Sequence, residues 1–113
     1  EDQLNQVVAQ TNTEWMKTFI RLDPKTYLEQ VNCEVLALNG EKDSQVPAKE
    51  NLAAIKESVE KSGEEITIIA YPKLNHLFQT AATGSVSEYK DIEETLHPQV
   101  LEDITNWIKA ETK

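Results

Sequence analysis

Two residues of this sequence have side chains suited to moving a proton and stand where they could meet: Asp43 and His76. Asp43 lies just beyond the short apolar run Glu34-Val35-Leu36-Ala37-Leu38-Asn39, and His76 just beyond Ile66-Thr67-Ile68-Ile69-Ala70-Tyr71. If the two runs are parallel neighbouring strands, both loops sit at the carboxyl ends of the strands, where open α/β sheets gather their ligands. A carboxylate that accepts an imidazole N–H fixes the ring's tautomer and stabilises the imidazolium. The other ring nitrogen is then free to take a proton from a nucleophile. A plainer use stays open for each residue: an Asp shortly after a Gly suits a turn, and a lone His is often simply packed or solvated.

The elements that would position this pair read as follows. Leu4, Val7, Val8, Trp15, Met16, Phe19 and Ile20 are spaced as one helical face over residues 1–22, with Asn12 and Thr13 as a break, so one kinked helix or two short ones are expected. Asp23-Pro24 ends that segment, because the proline ring disfavours helical geometry in the residue before it, and a short turn around Lys25 to Gln30 leads on. The run 34–39 is nearly unbroken rather than alternating, which predicts a strand covered on both faces, as in parallel sheets. Asn39-Gly40 is also a hairpin signal, but Glu41 to Gln45 has no alternation to supply a returning strand, so a strand-to-helix loop is expected. From Pro47 to Ser62, Ala48, Leu52, Ile55 and Val59 make an amphipathic helix, with Pro47 in its first turn and Gly63 as its cap. Residues 66–71 are β-branched and apolar, a second strand closed by Pro72. Leu74 to Leu96 is a long mixed connection of the kind that tends to be functional, holding Asn75-His76, Gly84 and the acidic group Asp91, Glu93 and Glu94, which reads as a solvated face or, less simply, as a lining of the site mouth. His97-Pro98 opens a last helix with Val100, Leu101, Ile104, Trp107 and Ile108 on one face.

The fold class is therefore α/β: a βαβ unit plus flanking helices. Two strands apolar on both faces would need sheet neighbours, and the chain offers no further strand, so the parallel sheet is expected to be incomplete. An unpartnered strand edge leads to the expectation of a homodimer or other self-association.

The 113 residues suit one small domain, with 39% hydrophobic and 27% charged residues and few Gly or Pro, which excludes disorder and low complexity. Eleven basic against twenty acidic residues give a net charge of -9, the wrong sign for a surface that neutralises phosphates, so nucleic acid and anionic membrane surfaces are poor partners. No run approaches a membrane span, and a lone Cys33 cannot form an internal disulfide. Cys33, His76 and His97 lack zinc-like spacing; Cys33 reads as a small hydrophobe beside a strand and His97 as a helix start. No metal and no organic cofactor is implied, and the compartment stays open. The chain begins at Glu1 without a signal-peptide pattern, which gives the expectation that it belongs to something longer.

Val35-Leu36-Ala37-Leu38-Asn39-Gly40-Glu41-Lys42-Asp43-Ser44-Gln45-Val46-Pro47, followed by Asn75-His76-Leu77-Phe78-Gln79, resembles the C-terminal part of the α/β-hydrolase fold. The likeness is to dienelactone-hydrolase-like and acyl-peptidase-like serine hydrolases and covers roughly residues 30 to 110. There a Gly-x-x-Asp-x-x-Val-Pro loop carries the triad acid and the loop after the next strand the His. The resemblance implies Asp43 as the acid and His76 as the general base, residues 23–113 as the C-terminal part of the hydrolase domain, and residues 1–22 as the end of a cap or lid. It also implies that the substrate is a small-molecule ester, thioester or amide.

The departures matter equally. The family order is Ser, acid, His, with the Ser on a Gly-x-Ser-x-Gly elbow, and no such motif occurs here. Gly84-Ser85-Val86-Ser87-Glu88 has the wrong spacing and follows His76, so it reads as a flexible polar loop. The oxyanion donors also lie upstream of the acid in that family, and losing even one costs on the order of 3 kcal/mol. The chain thus carries acid and base without a nucleophile and is expected to be inactive alone. The rival reading is a stand-alone acidic α+β interaction module without catalysis. A receiver-type signalling domain fits less well, for want of strands.

Overall fold

The computed structural model describes residues 2–112. In chain order the elements are α1 (Asp2–Thr11), α2 (Glu14–Arg21), α3 (Pro24–Leu28), β1 (Val35–Gly40), α4 (Ala48–Ser62), β2 (Ile66–Tyr71), a 3₁₀ helix (Val86–Asp91) and α5 (Pro98–Glu111). β1 and β2 pair in parallel, in register from Val35 opposite Ile66 to Gly40 opposite Tyr71. Parallel strands need a crossover, and α4 supplies it.

Side chains alternate across a strand, so this register sorts the core into two layers. On one face Ala37 meets Ala48 and Leu52 of α4, with Ile55 and Ile66 beside them. On the other, Tyr71, Leu74 and Val100 of α5 are buried, flanked by Leu38, Ile69, Phe78, Leu96 and Ile104. Val59 and Val100 lose essentially all their exposure, which contributes about 1.5–3 kcal/mol each. Helix α4 follows its expected pattern and ends at Gly63, whose φ of 87° is the left-handed cap that glycine adopts freely.

The break at Asn12-Thr13 yields two helices, because the Thr13 hydroxyl accepts the Met16 N–H and starts α2 afresh. Lys25 to Gln30 is not a simple turn. Asp23 caps a new short helix by accepting the Lys25 N–H, and Pro24, whose φ is already helical, occupies its first position. The same dipeptide that ends α2 therefore begins α3.

Cover over the strands is thinner than expected. Thr67, Ile68 and Ala70 of β2 are exposed, as are Leu101 and Ile108 of α5. Helix α4 lies over Ala37 and the start of β2, and α5 over its end, so two helices leave the middle of β2 open. Among the described residues no strand borders either outer edge of the pair. Among the described residues helices α1 and α2 bury none, and Trp15 stacks on Phe19 at 5.3 Å in the open.

Candidate active site

At the end of β1 the chain crosses the end of β2 at very close range. A Cβ on Gly40 would lie 2.2 Å from the Leu74 carbonyl oxygen, so only glycine permits the crossing. The Glu41 and Lys42 N–H groups then donate to the Tyr71 and Leu74 carbonyls at 2.9 and 3.0 Å. Asn39-Gly40 is thus a crossing point between two loops and not a hairpin turn.

Asp43 follows at once, buried, with Oδ1 accepting the N–H groups of Gln45 and Val46 at 2.8 Å each. Its other oxygen, Oδ2, lies 2.8 Å from His76 Nδ1. The two residues singled out from the sequence are therefore brought together, across 33 positions of chain.

The turn that presents His76 is built around Asn75, which is wholly buried. Asn75 Oδ1 accepts the N–H groups of Leu77 and Gln79 at 2.9 and 3.0 Å, and its Nδ2 donates to Gln79 Oε1. Phe78 closes the turn at a φ of 55°, a left-handed conformation uncommon for a bulky residue. It is held there by its ring, edge-on to Tyr71 at 6.0 Å, and by its carbonyl, which accepts the His97 N–H at 2.9 Å.

Burial is the strongest single influence on the Asp43 carboxyl and pushes its pKa up. The Val46 N–H, the His76 side chain and the Gln45 N–H together outweigh burial and hold it below the ordinary carboxylate value. An ionised carboxylate can only accept, so in this contact Nδ1 carries a proton and donates it to Oδ2. The His76 side chain is 39% exposed while that of Asp43 is 5% exposed, so the ring can be reached from outside and the carboxylate cannot. A cleft of about 190 Å³ lies against the pair, lined also by Leu38, Asn39, Val46, Asn51 and Phe78. A larger hollow of about 570 Å³, between Asp43, the start of α4 and Ala70, is not lined by His76, so only the smaller one touches both residues.

The segment after His76 is bound to the acid loop. Lys42 Nζ donates to the Ala81 and Ala82 carbonyls at 2.7 and 2.8 Å, Ser44 Oγ to the Gly84 carbonyl at 2.9 Å and Gln45 Nε2 to the Tyr89 hydroxyl at 2.7 Å. The segment expected as a flexible polar loop instead contains the 3₁₀ helix, capped by Ser85, whose hydroxyl contacts that of Ser87. Neither serine is bonded to His76. Of the acidic group, Glu94 is not simply solvated: it accepts the Thr80 N–H, which is the main reason its pKa is lowered. Glu88 accepts the Thr83 and Gly84 N–H groups with the same effect.

The weaker candidates fall away. His97 caps α5, its Nδ1 accepting the Gln99 N–H. Cys33 is exposed, and not packed away as a small hydrophobe. Among the described residues no three His, Cys, Asp or Glu side chains are grouped to hold a metal ion. The sequence reading missed Asn39, Lys42 and Asn75. A polar residue inside the otherwise apolar run 35–39 was the available signal for Asn39; Lys42 looked like any surface charge.

A parallel strand pair with a crossover helix, presenting an Asp and a His from adjacent strand ends, is a unit of the α/β-hydrolase fold. In agreement, the model of the prolyl oligopeptidase family matches residues 2–100. The chain belongs to the prolyl oligopeptidase family and is a serine hydrolase-type α/β unit with an incomplete sheet. No curated protein and no solved structure matches it in the same comparisons.

Proposed function

We propose that Asp43 and His76 are the acid and the base of a Ser-His-Asp triad that cleaves an ester, thioester or amide. The 2.8 Å contact between Asp43 Oδ2 and His76 Nδ1 carries this reading. His76 Nε2 takes the proton of a serine Oγ as that oxygen bonds the substrate's carbonyl carbon, then gives the proton to the leaving group as the bond to it breaks. Water enters in the same way to release the acyl group. Asp43 stays ionised and holds the ring.

The nucleophile and the oxyanion donors come from outside these 113 residues, which contain no Gly-x-Ser-x-Gly. Residues 23–113 are the C-terminal part of the catalytic domain, and residues 1–22 the end of a lid. The family match covers residues 2–100 without dividing them, so this boundary rests on the resemblance alone. The 113-residue chain alone is inactive. Incubated with a fluorophosphonate probe and nitrophenyl esters, it acquires no label and shows no turnover that depends on His76. Covalent labelling of any of its own serines would overturn the proposal.

A further inference from the structure

Asn39 is the one polar residue among the apolar side chains of β1, and it is 4% exposed. A buried carboxamide costs stability unless its hydrogen bonds are made, and an apolar residue would suit a strand covered by α4 better. All its polar atoms are partnered. One end of the amide faces three oxygens: the Gly40 and Val46 carbonyls, both at 3.2 Å, and Asp43 Oδ2 at 3.3 Å. Three acceptors around one end require it to be the NH₂, whose two hydrogens they share. The other end, Oδ1, accepts Asn51 Nδ2 of α4 at 2.8 Å, so the helix prevents the amide from turning over.

We propose that Asn39, braced by Asn51, is a positioning residue for the Asp–His pair, acting through Asp43. The inference rests on the reading of that pair as triad members. A carboxylate has about four acceptor sites. On Asp43 the Gln45 and Val46 N–H groups take two on Oδ1, and Asn39 takes one on Oδ2. A single direction is left, and His76 Nδ1 occupies it. Without Asn39, Oδ2 offers two directions and the carboxylate loses a restraint, so the ring spends less time aimed at the nucleophile.

The test uses the full-length enzyme with Asn39→Ala and Asn51→Ala. Asn39→Ala lowers kcat roughly ten- to a hundredfold, the scale of a small misalignment of a catalytic group. KM stays within about twofold: Asn39 lines the cleft, but its amide is taken up by Asp43, Asn51 and the Gly40 and Val46 carbonyls and not by a substrate group. The acid limb of the kcat/KM profile moves to higher pH, because a carboxylate with one donor fewer holds the imidazolium more strongly. The charged groups sharing the larger hollow with Asp43 are Glu41, Lys49 and Glu50, and neither substitution alters them. Asn51→Ala leaves Asn39 in place but free to turn, and gives a smaller change in the same direction; it carries the test if Asn39→Ala does not fold. Folded variants with unchanged kcat and an unmoved acid limb would overturn the inference, as would a loss matching only the unfolded fraction. His76→Ala separates the two levels. If it is fully active, the triad reading fails; if it is inactive while both asparagine variants behave as wild type, only the role of Asn39 fails.

Discussion

The Lys42 carbonyl oxygen occupies the place where a side chain on Gly84 would begin: a Cβ there would lie 1.8 Å from it. Gly84 also has a φ of 81°, so both space and backbone conformation exclude other residues. The acid loop and the segment after His76 are fitted to each other at this point, backbone against backbone. The geometry of Asp43 and His76 depends on that fit.

Gly84→Ala therefore destabilises the protein by roughly 2–4 kcal/mol and lowers activity as well, since the loops must part. Gly63→Ala is the comparison. Gly63 has a φ of 87° but nothing within 4 Å of its would-be Cβ, so only about 1 kcal/mol is lost. Urea titration of both variants decides; equal midpoints would show that the contact with Lys42 is not tight.

In the full-length enzyme, His76→Ala lowers kcat/KM by more than about 10⁴-fold and Asp43→Asn by about 10³- to 10⁴-fold. The amide keeps the shape of the carboxylate but presents a donor to Nδ1 and so favours the wrong tautomer. Steady-state kinetics on an activated ester measure both, and a near wild-type rate in either removes that residue from the triad.

Asp43 also makes stability depend on pH. Folding holds its pKa below the ordinary 3.8, so its contribution is fully present above that value and is lost as the pH falls through the lower folded value. Wild type and Asp43→Asn should differ more in unfolding free energy at about pH 6 than at about pH 3. Glu88 and Glu94 act in the same direction but are present in both proteins and cancel. An equal difference at the two pH values would mean that Asp43 gains nothing from its partners.

Lys42→Met keeps most of the stem and removes the ammonium that joins the Ala81 and Ala82 carbonyls. Two carbonyls lose a charged donor in a half-buried setting, at a cost of about 1–3 kcal/mol. Thermal unfolding reads the loss. Lys42→Arg, which retains a cation of similar reach, should recover part of it.

The isolated 113-residue chain should self-associate. Both outer strand edges are open among the described residues, and Trp15, Phe19, Ile68 and Leu101 are exposed. Sedimentation across a wide concentration range checks this; a monomer at every concentration would show that the edges are protected in some other way.

Much of the fold was legible because its signals are local. The spacing of Ala48, Leu52, Ile55 and Val59 defines α4, the glycine at 63 ends it, and the β-branched run 66–71 defines β2 within the bounds observed. Asp43 and His76 were legible as candidates because each follows a strand directly. Asp23-Pro24 was read only as a stop, since a rule about the residue before proline says nothing of the capping bond that Asp23 makes to Lys25. The segment 79–97 read as an open loop because its partners, Lys42, Ser44 and Gln45, lie some 40 residues earlier in the chain.

By itself the sequence determined the element types, the strand–helix–strand order and the placing of an Asp and a His at two strand ends. Those follow from hydrophobic period, caps and turn chemistry, each a matter of a few neighbouring residues. Only the tertiary structure decided that β1 and β2 pair in the register that sets Asp43 Oδ2 beside His76 Nδ1, and that Gly40 and Gly84 let the two loops touch. It also decided that Asn39 bonds Asp43 and that Asn75 builds the turn presenting His76. The physical reason is that a hydrogen bond between distant residues depends on positions and angles set by the whole fold, to which no local pattern in the chain is sensitive.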